Sequence, residues 1–232
     1  MIVLHAQSVL ESFAQPSEHL LRYPWNEAFQ SLYEQPVFTP HEIAQANQKK
    51  RSLIQVFLHW SAIVAEKLVQ QLSLPQAEWK IQPLQQQLGV AGGEKFMVGQ
   101  LFCKFAHDDK KIYGSDELAI KMAANEIRNA NAVLHLGISY LHFSLSACHR
   151  IRGHAVITTA LIPINPRNTL VYGSNDGGKT IVRGNATIID LVDRVAGQLG
   201  LLPHVVRGHQ ADMKVSVGAD CEGHVSAEDG RL

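Results

Sequence analysis

Residues Gly173-Ser174-Asn175-Asp176-Gly177-Gly178-Lys179-Thr180 satisfy the pattern G-x-x-x-x-G-K-[ST] and follow a predicted strand, Thr169 to Tyr172. In a phosphate loop the backbone N–H groups cradle phosphates, the lysine reaches the β/γ oxygens and the threonine hydroxyl holds magnesium. That chemistry needs a helix starting at Lys179-Thr180, because a helix N-terminus supplies free donors and positive potential. Here Ile181-Val182-Arg183-Gly184 follows, β-branched and closed by glycine. Asn175-Asp176-Gly177-Gly178 therefore reads as a hairpin turn between paired strands, a phosphate- or partner-binding loop only in a secondary sense.

Asp220, Glu222 and His224 stand at alternate positions, so on a strand they would share one face. Such a trio can hold a divalent metal or provide an acid/base group, but carboxylates and a histidine at a surface hairpin are also ordinary solvated residues. No metal is assigned, and the three stand as the alternative set. Lys104 on a predicted strand and Glu126 on the following helix are spaced to meet in an ion pair, which in kinase-like folds orients phosphates. An exposed glutamate and a snorkelling lysine are the commoner outcome. His149 and His154, around Arg150 and Arg152, read as a small basic patch on a turn, with no aromatic ladder beside it.

Those side chains need elements to carry them. Residues 5–22 predict a short helix, and Tyr23 to Pro40, interrupted by Pro24 and Pro36, predicts an irregular lead-in. Thr39 as N-cap and Pro40 at the first helical position open one long helix, or two in succession, to about Leu72. Ile43, Leu53, Ile54, Phe57, Leu58, Ile63, Val64 and Leu68 recur there at helical intervals. Pro75 and Pro83 bracket a glutamine-rich linker, and Gly89 to Gly93 adds a turn. Phe96 to Ala106 predicts a strand and Asp108 to Lys111 a charged turn. Ser115 should cap a helix from Asp116 to Leu136, with Leu118, Met122, Ile127 and Val133 on its buried side and Gly137 as its stop.

Leu141–Ala147, Arg152–Ile162 and Thr169–Tyr172 predict an antiparallel meander, with breaks at Arg150, Gly153 and Pro163 to Pro166. Asp190 to Leu199 returns to helix, and Val215–Val217 and Glu222–Val225 are weak strands. The class is α+β: a helical N-terminal part, then a mixed, mainly antiparallel sheet with packed helices, distantly kinase-like in its order of parts. The expected organisation is an extension over 1–22 and one domain over 23–232.

Composition narrows the partners. The chain balances 21 basic against 21 acidic side chains and is 46% hydrophobic, enough to bury a core across 232 residues. No net field draws nucleic acid or anionic lipid from a distance, and no DNA partner is expected. Cys103, Cys148 and Cys221 form no C-x-x-C pair, which disfavours a disulfide framework and a zinc knuckle and fits a reducing compartment. Met1 to Leu10 lacks the pattern of a secretory signal, and no run of about 18 consecutive apolar residues appears. A soluble cytoplasmic protein without membrane insertion is predicted.

Several stretches, in order, resemble the Clu domain of the clustered-mitochondria proteins: Trp25-Asn26-Glu27-Ala28-Phe29-Gln30, LFCKFAHDD, IYGSDELAIKMAANEIRNA, TLVYGSNDGGKTI and GADCEGHVSAEDGR. They span about residues 23 to 232. YGSDELAIKMAANEI, a Tyr-Gly turn leading into a helix, and LVYGSNDGGKT are the most specific, and the second accounts for the Walker-like string without a nucleotide. Family members usually continue past the position of Leu232, so an incomplete module is expected.

The resemblance implies a non-catalytic cytoplasmic adaptor or scaffold linked to mitochondrial distribution. Its partner would be a protein or ribonucleoprotein, with mRNA a further candidate, and it would need no cofactor. Two enzyme alternatives stay open. One is a divergent kinase-like phosphotransferase using ATP and Mg2+ through Lys104, Glu126, Asp220 and His224, although the sequence stops before the second aspartate such enzymes place on the metal. The other is a P-loop NTPase centred on Lys179 and Thr180.

Overall fold

The computed structural model describes residues 18–85, 92–138, 140–165, 168–176, 179–207, 212–218, 220–226 and 230–232. Most of the helix expected over 5–22 lies outside them; its last turn is helix α1, Glu18–Leu21. The lead-in is not irregular. Pro24 occupies the N-cap position of helix α2, Trp25–Glu34, and Gln35 just before Pro36 ends it, so the two prolines bound a helix without entering it. Trp25, Phe29 and Leu32 give it one buried stripe.

Helix α3 runs unbroken from Pro40 to Gln71. Its start is a capping box: Thr39 Oγ1 accepts from the Glu42 amide at 3.2 Å, and the Glu42 carboxylate accepts from the Thr39 amide at 2.9 Å. Leu53, Phe57, Trp60, Val64 and Leu68 form its buried face. By length and composition α3 is apolar enough to cross a bilayer, and half of its most apolar window is buried inside the fold.

The residues predicted as one strand over 96–106 form a hairpin instead, β1 (Lys95–Val98) and β2 (Leu101–Phe105). Gly99 makes the turn at φ +58°, and an added Cβ there would collide with the Leu21 carbonyl. That carbonyl also accepts from the Gln100 amide at 2.9 Å. The next hairpin is displaced from its predicted position: β3 is Ser146–Ile151 and β4 is His154–Ala160, so Arg150 lies within a strand. The reversal falls at Arg152 and Gly153, both at positive φ, as a two-residue turn of the primed kind demands.

These strands make an antiparallel sheet in the order β1-β2-β4-β3. One face, with Phe96, Cys103, Phe105, Val156 and Thr158, belongs to the fully buried core with α3. The other carries Lys104, Cys148, Ala155 and Ile157 and packs against helix α4, Asp116–His135. The expected buried side holds in part: Ile127 packs on this cluster and Val133 on the core of Ile138, Leu191 and Val195, whereas Leu118 and Met122 are 47% exposed and Ala119 and Ala123 are the buried residues of the helix. Ala123, flanked by Ile120 and Ile127, makes the contact with the sheet.

The chain divides into two compact units, the first being Met1–Gln86, Ala91–Ile127 and Ser144–Ile162, the second Gln87–Val90, Arg128–Phe143 and Pro163–Leu232. The second unit contains the end of α4, helix α5 (Ala186–Gln198, capped by Asn185) and two small antiparallel pairs. They are β5 (Leu170–Tyr172) with β8 (Gly223–His224), and β6 (His204–Arg207) with β7 (Asp212–Val215). Its core is Ile138, Leu191 and Val195, and Tyr172, Ile188 and Val215. The α+β class holds throughout; β6 was absent from the sequence reading because His204 and Arg207 mask its Val-Val pair.

Gly99→Ala and Gly153→Ala separate conformational strain from collision. Both glycines sit at positive φ, but nothing lies within 4 Å of a Cβ added at Gly153. Gly153→Ala should cost about 1 kcal/mol and Gly99→Ala clearly more, read from denaturation midpoints.

Candidate functional site

In the first unit the chemistry-bearing residues are organised by one carboxylate. Asp108 accepts from the backbone amides of Ile112, Tyr113 and Gly114 at 2.7, 2.9 and 2.6 Å. The Tyr113 amide foremost, with those of Ile112 and Gly114, stabilises the carboxylate and holds its pKa below the ordinary carboxylate value. Its own amide donates to Asp116 Oδ1 at 2.7 Å, and Ser115 Oγ accepts from the Leu118 amide at 3.3 Å. The loop between β2 and α4 is thereby tied to the first turn of α4. The helix direction then follows, and Ala123 lies with Ala155 and Ile157 in one buried cluster.

This placement brings Glu126 to Lys104, with Nζ 3.0 Å from Oε2. The side chains are 24% and 65% exposed, so the pair contributes less than about 1 kcal/mol and serves to orient Lys104 more than to stabilise the fold. Lys95 stands directly opposite Lys104 across β1 and β2. Partial burial, then the neighbouring charges of Lys104 and Lys110, push the Lys95 ammonium below its ordinary pKa.

In the second unit, Gly173 and Val182 exchange both backbone hydrogen bonds at 2.8 Å, so the chain between them closes antiparallel. No helix begins at Lys179 or Thr180; the next starts at Ala186. Gly177 and Gly178 themselves lie outside the described residues. Asp176 Oδ1 accepts from the Thr180 amide at 2.9 Å and from Ser174 Oγ at 2.8 Å, which brings its pKa down to about 2. The loop therefore carries its own anion on the amide that a phosphate loop would offer to a nucleotide.

Asp220, Glu222 and His224 do not share a strand face, because β8 spans only Gly223 and His224. His224 Nε2 lies 3.1 Å from Glu222 Oε2 and its Nδ1 lies 3.0 Å from the buried Thr169 hydroxyl. Thr169 Oγ1 also donates to the Asn165 carbonyl at 2.7 Å. Nδ1 thus joins β8 to the Asn165 turn through Thr169, and Nε2 is taken up by Glu222. Among the described residues no group of three or more His, Cys, Asp or Glu is arranged to hold a metal. Asp220 and His224 belong to the second unit, Lys104 and Glu126 to the first.

The expected basic patch dissolves in the sheet. His149 turns into the core, 2.9 Å from Ser61 Oγ of α3, and burial lowers its proton affinity. His154 meets His107 at 3.1 Å, and His107 stacks on Phe105 at 4.9 Å. The cysteines are free, and burial pushes the Cys103 thiol up to about 12, far from reactivity.

The geometry joins stretches distant in sequence. LFCKFAHDD meets the Tyr113-Gly114 turn through Asp108, and LVYGS lies on the 221–224 segment, with Leu170 opposite His224 and Tyr172 opposite Gly223. Gly173 packs so closely on the Cys221 carbonyl that no Cβ fits. The family model described as Clustered mitochondria matches residues 24–232, both units included. The chain belongs to the Clustered mitochondria family. A role linked to mitochondrial clustering comes with that membership. No curated protein and no solved structure matches the chain.

In this Clustered mitochondria domain, Asp108 closes the loop that leads into the Tyr113-Gly114 turn, and Asp176 closes the loop that follows Tyr172-Gly173. Neither capture is announced by the Asx-turn spacing of two residues, since each carboxylate reaches amides four or more positions ahead. Because the folded pKa of Asp176 lies below its ordinary 3.8, its stabilising contribution is full above about pH 4 and is lost as pH falls through about 2. Carboxyl NMR should place its midpoint near 2, and Asp176→Asn should remove that part of the acid-induced loss of stability.

Proposed function

We propose that this chain is a non-catalytic adaptor or scaffold of the cytoplasm that holds a protein or ribonucleoprotein partner in the service of mitochondrial distribution. The observation that carries the reading is the family match across residues 24–232. The loops support it, since Asp108 and Asp176 are consumed by backbone amides and are not presented to a substrate. A partner surface is available on the second unit, where Leu201, Leu202 and Val205 are 44%, 82% and 64% exposed beside and within β6. Among the described residues β6 is paired on one side only, so its other edge can accept an added strand while the leucines fill an apolar pocket of the partner. Messenger RNA association enters only as part of the ribonucleoprotein reading.

A second reading, an ATP- and magnesium-dependent phosphotransferase, is favoured by the Lys104–Glu126 pair at 3.0 Å. It is tested by magnesium-dependent ATP turnover that disappears in Lys104→Ala. The absence of such turnover leaves the adaptor reading.

In cells depleted of the protein, the wild type should restore normal mitochondrial distribution, whereas Leu202→Asp with Val205→Asp should remain folded and fail to do so. Undisturbed mitochondria after depletion, or full rescue by the double variant, would count against the proposal.

A further inference from the structure

Strand β3 is held by its pairing with β4 and by α3 across the core. In that second seam His149 Nε2 lies 2.9 Å from Oγ of Ser61, a residue with 0% exposure. One turn to either side of Ser61 stand Phe57, Leu58, Val64 and Ala65, and His149 is opposite Val156 on β4. Ala147 and Ile151 share its face on β3, and Thr158 and His154 share it on β4. No carboxylate stands among these residues, and the one titratable group is His154. Its Nδ1 is engaged with His107 Nε2 at 3.1 Å, and the Asp109 carboxylate lies near His107, both against Gly93. Cys148 and Arg150, the chain neighbours of His149, point to the opposite face.

We propose that the seam between α3 and the sheet is a proton-sensitive latch, closed while His149 is neutral and loosened when its imidazole takes up a proton. Hydrogen bonding alone does not open it. Ser61 Oγ also donates to the Leu58 carbonyl at 3.2 Å, so a charged His149 can donate from Nε2 to the Ser61 oxygen while the hydroxyl keeps Leu58. What the seam does not supply is an opposite charge, and a cation placed there draws water in or moves the helix off. Burial makes His149 hold its proton less firmly than its ordinary value of 6.5, so the unfolded chain binds that proton first as pH falls. The stability that neutral His149 lends is therefore full above about pH 6.5 and is lost as pH drops below it. Glu94, raised by burial and then by Asp109, works in the other direction, because its protonation relieves that repulsion. The latch is independent of the adaptor reading and of phosphoryl transfer.

Hydrogen exchange on the full chain, read as amide protection factors so that the intrinsic effect of pH is removed, tests it. From about pH 7.5 to about pH 5.5, the range in which an imidazole titrates, protection over residues 57–68 of α3 should fall severalfold in the wild type. His149→Gln keeps a hydrogen-bonding group for Ser61 and cannot charge, so its protection should stay constant. His154→Gln should respond as the wild type does. Unchanged protection in the wild type, or an equal loss in folded His149→Gln, overturns the latch. A loss that persists in His149→Gln and vanishes in His154→Gln assigns the response to the His107–His154 pair and overturns it too. Should His149→Gln fail to fold, NMR of the His149 ring in the wild type decides: the expected midpoint lies below 6.5, and one at or above 6.5 overturns the latch.

Discussion

The first unit depends on how closely α4 approaches its sheet. Ala123, with Ile120 and Ile127 beside it, meets Ala155 and Ile157, so the helix backbone lies near the strands and Glu126, one turn beyond Ala123, arrives beside Lys104. A larger residue at Ala123 would hold the helix off. In tightly packed cores an added methylene is met by backbone shifts that cost about 1–3 kcal/mol. The exposed Leu118 and Met122 follow from the same geometry, because turning the helix to bury them would carry Glu126 away from the lysine.

Two loops, one in each unit, solve a similar problem by similar means. Each must leave a strand and reverse within a few residues, which exposes backbone amides that no ladder satisfies. In each an aspartate supplies the acceptor: Asp108 for Ile112, Tyr113 and Gly114, and Asp176 for Thr180. Amide donors stabilise the charged carboxylate, and both pKa values lie below the ordinary one for that reason. The motifs that mark the Clustered mitochondria family thereby acquire a structural meaning, and the resemblance of Gly173–Thr180 to a phosphate loop becomes a resemblance of sequence without its helix.

Local signals were legible where local chemistry decides. Thr39-Pro40 opened α3, Ser115 capped α4, and the Lys104–Glu126 encounter followed from a strand and a helix in succession. What escaped was set by partners distant in sequence. Gly99 gave little warning that it divides two strands, because the Leu21 carbonyl that demands a glycine there lies far upstream. His149 looked like a surface charge beside Arg150 until Ser61 of α3 drew it inward. Thr169 and His224, 55 positions apart, had no shared pattern to announce their hydrogen bond. On α4, Ile127 and Val133 pack as the pattern suggested, but Leu118 and Met122 do not, because Ala119 and Ala123, which carry little weight in a hydrophobic pattern, take the buried positions.

Zero-length carbodiimide cross-linking, read by mass spectrometry, tests the seating of α4 most directly. An amide bond joining Lys104 to Glu126 should form in the wild type and disappear in Ala123→Leu, where the helix is forced away from the sheet. A folded wild type that yields no such bond, or an equal yield in Ala123→Leu, would contradict the account.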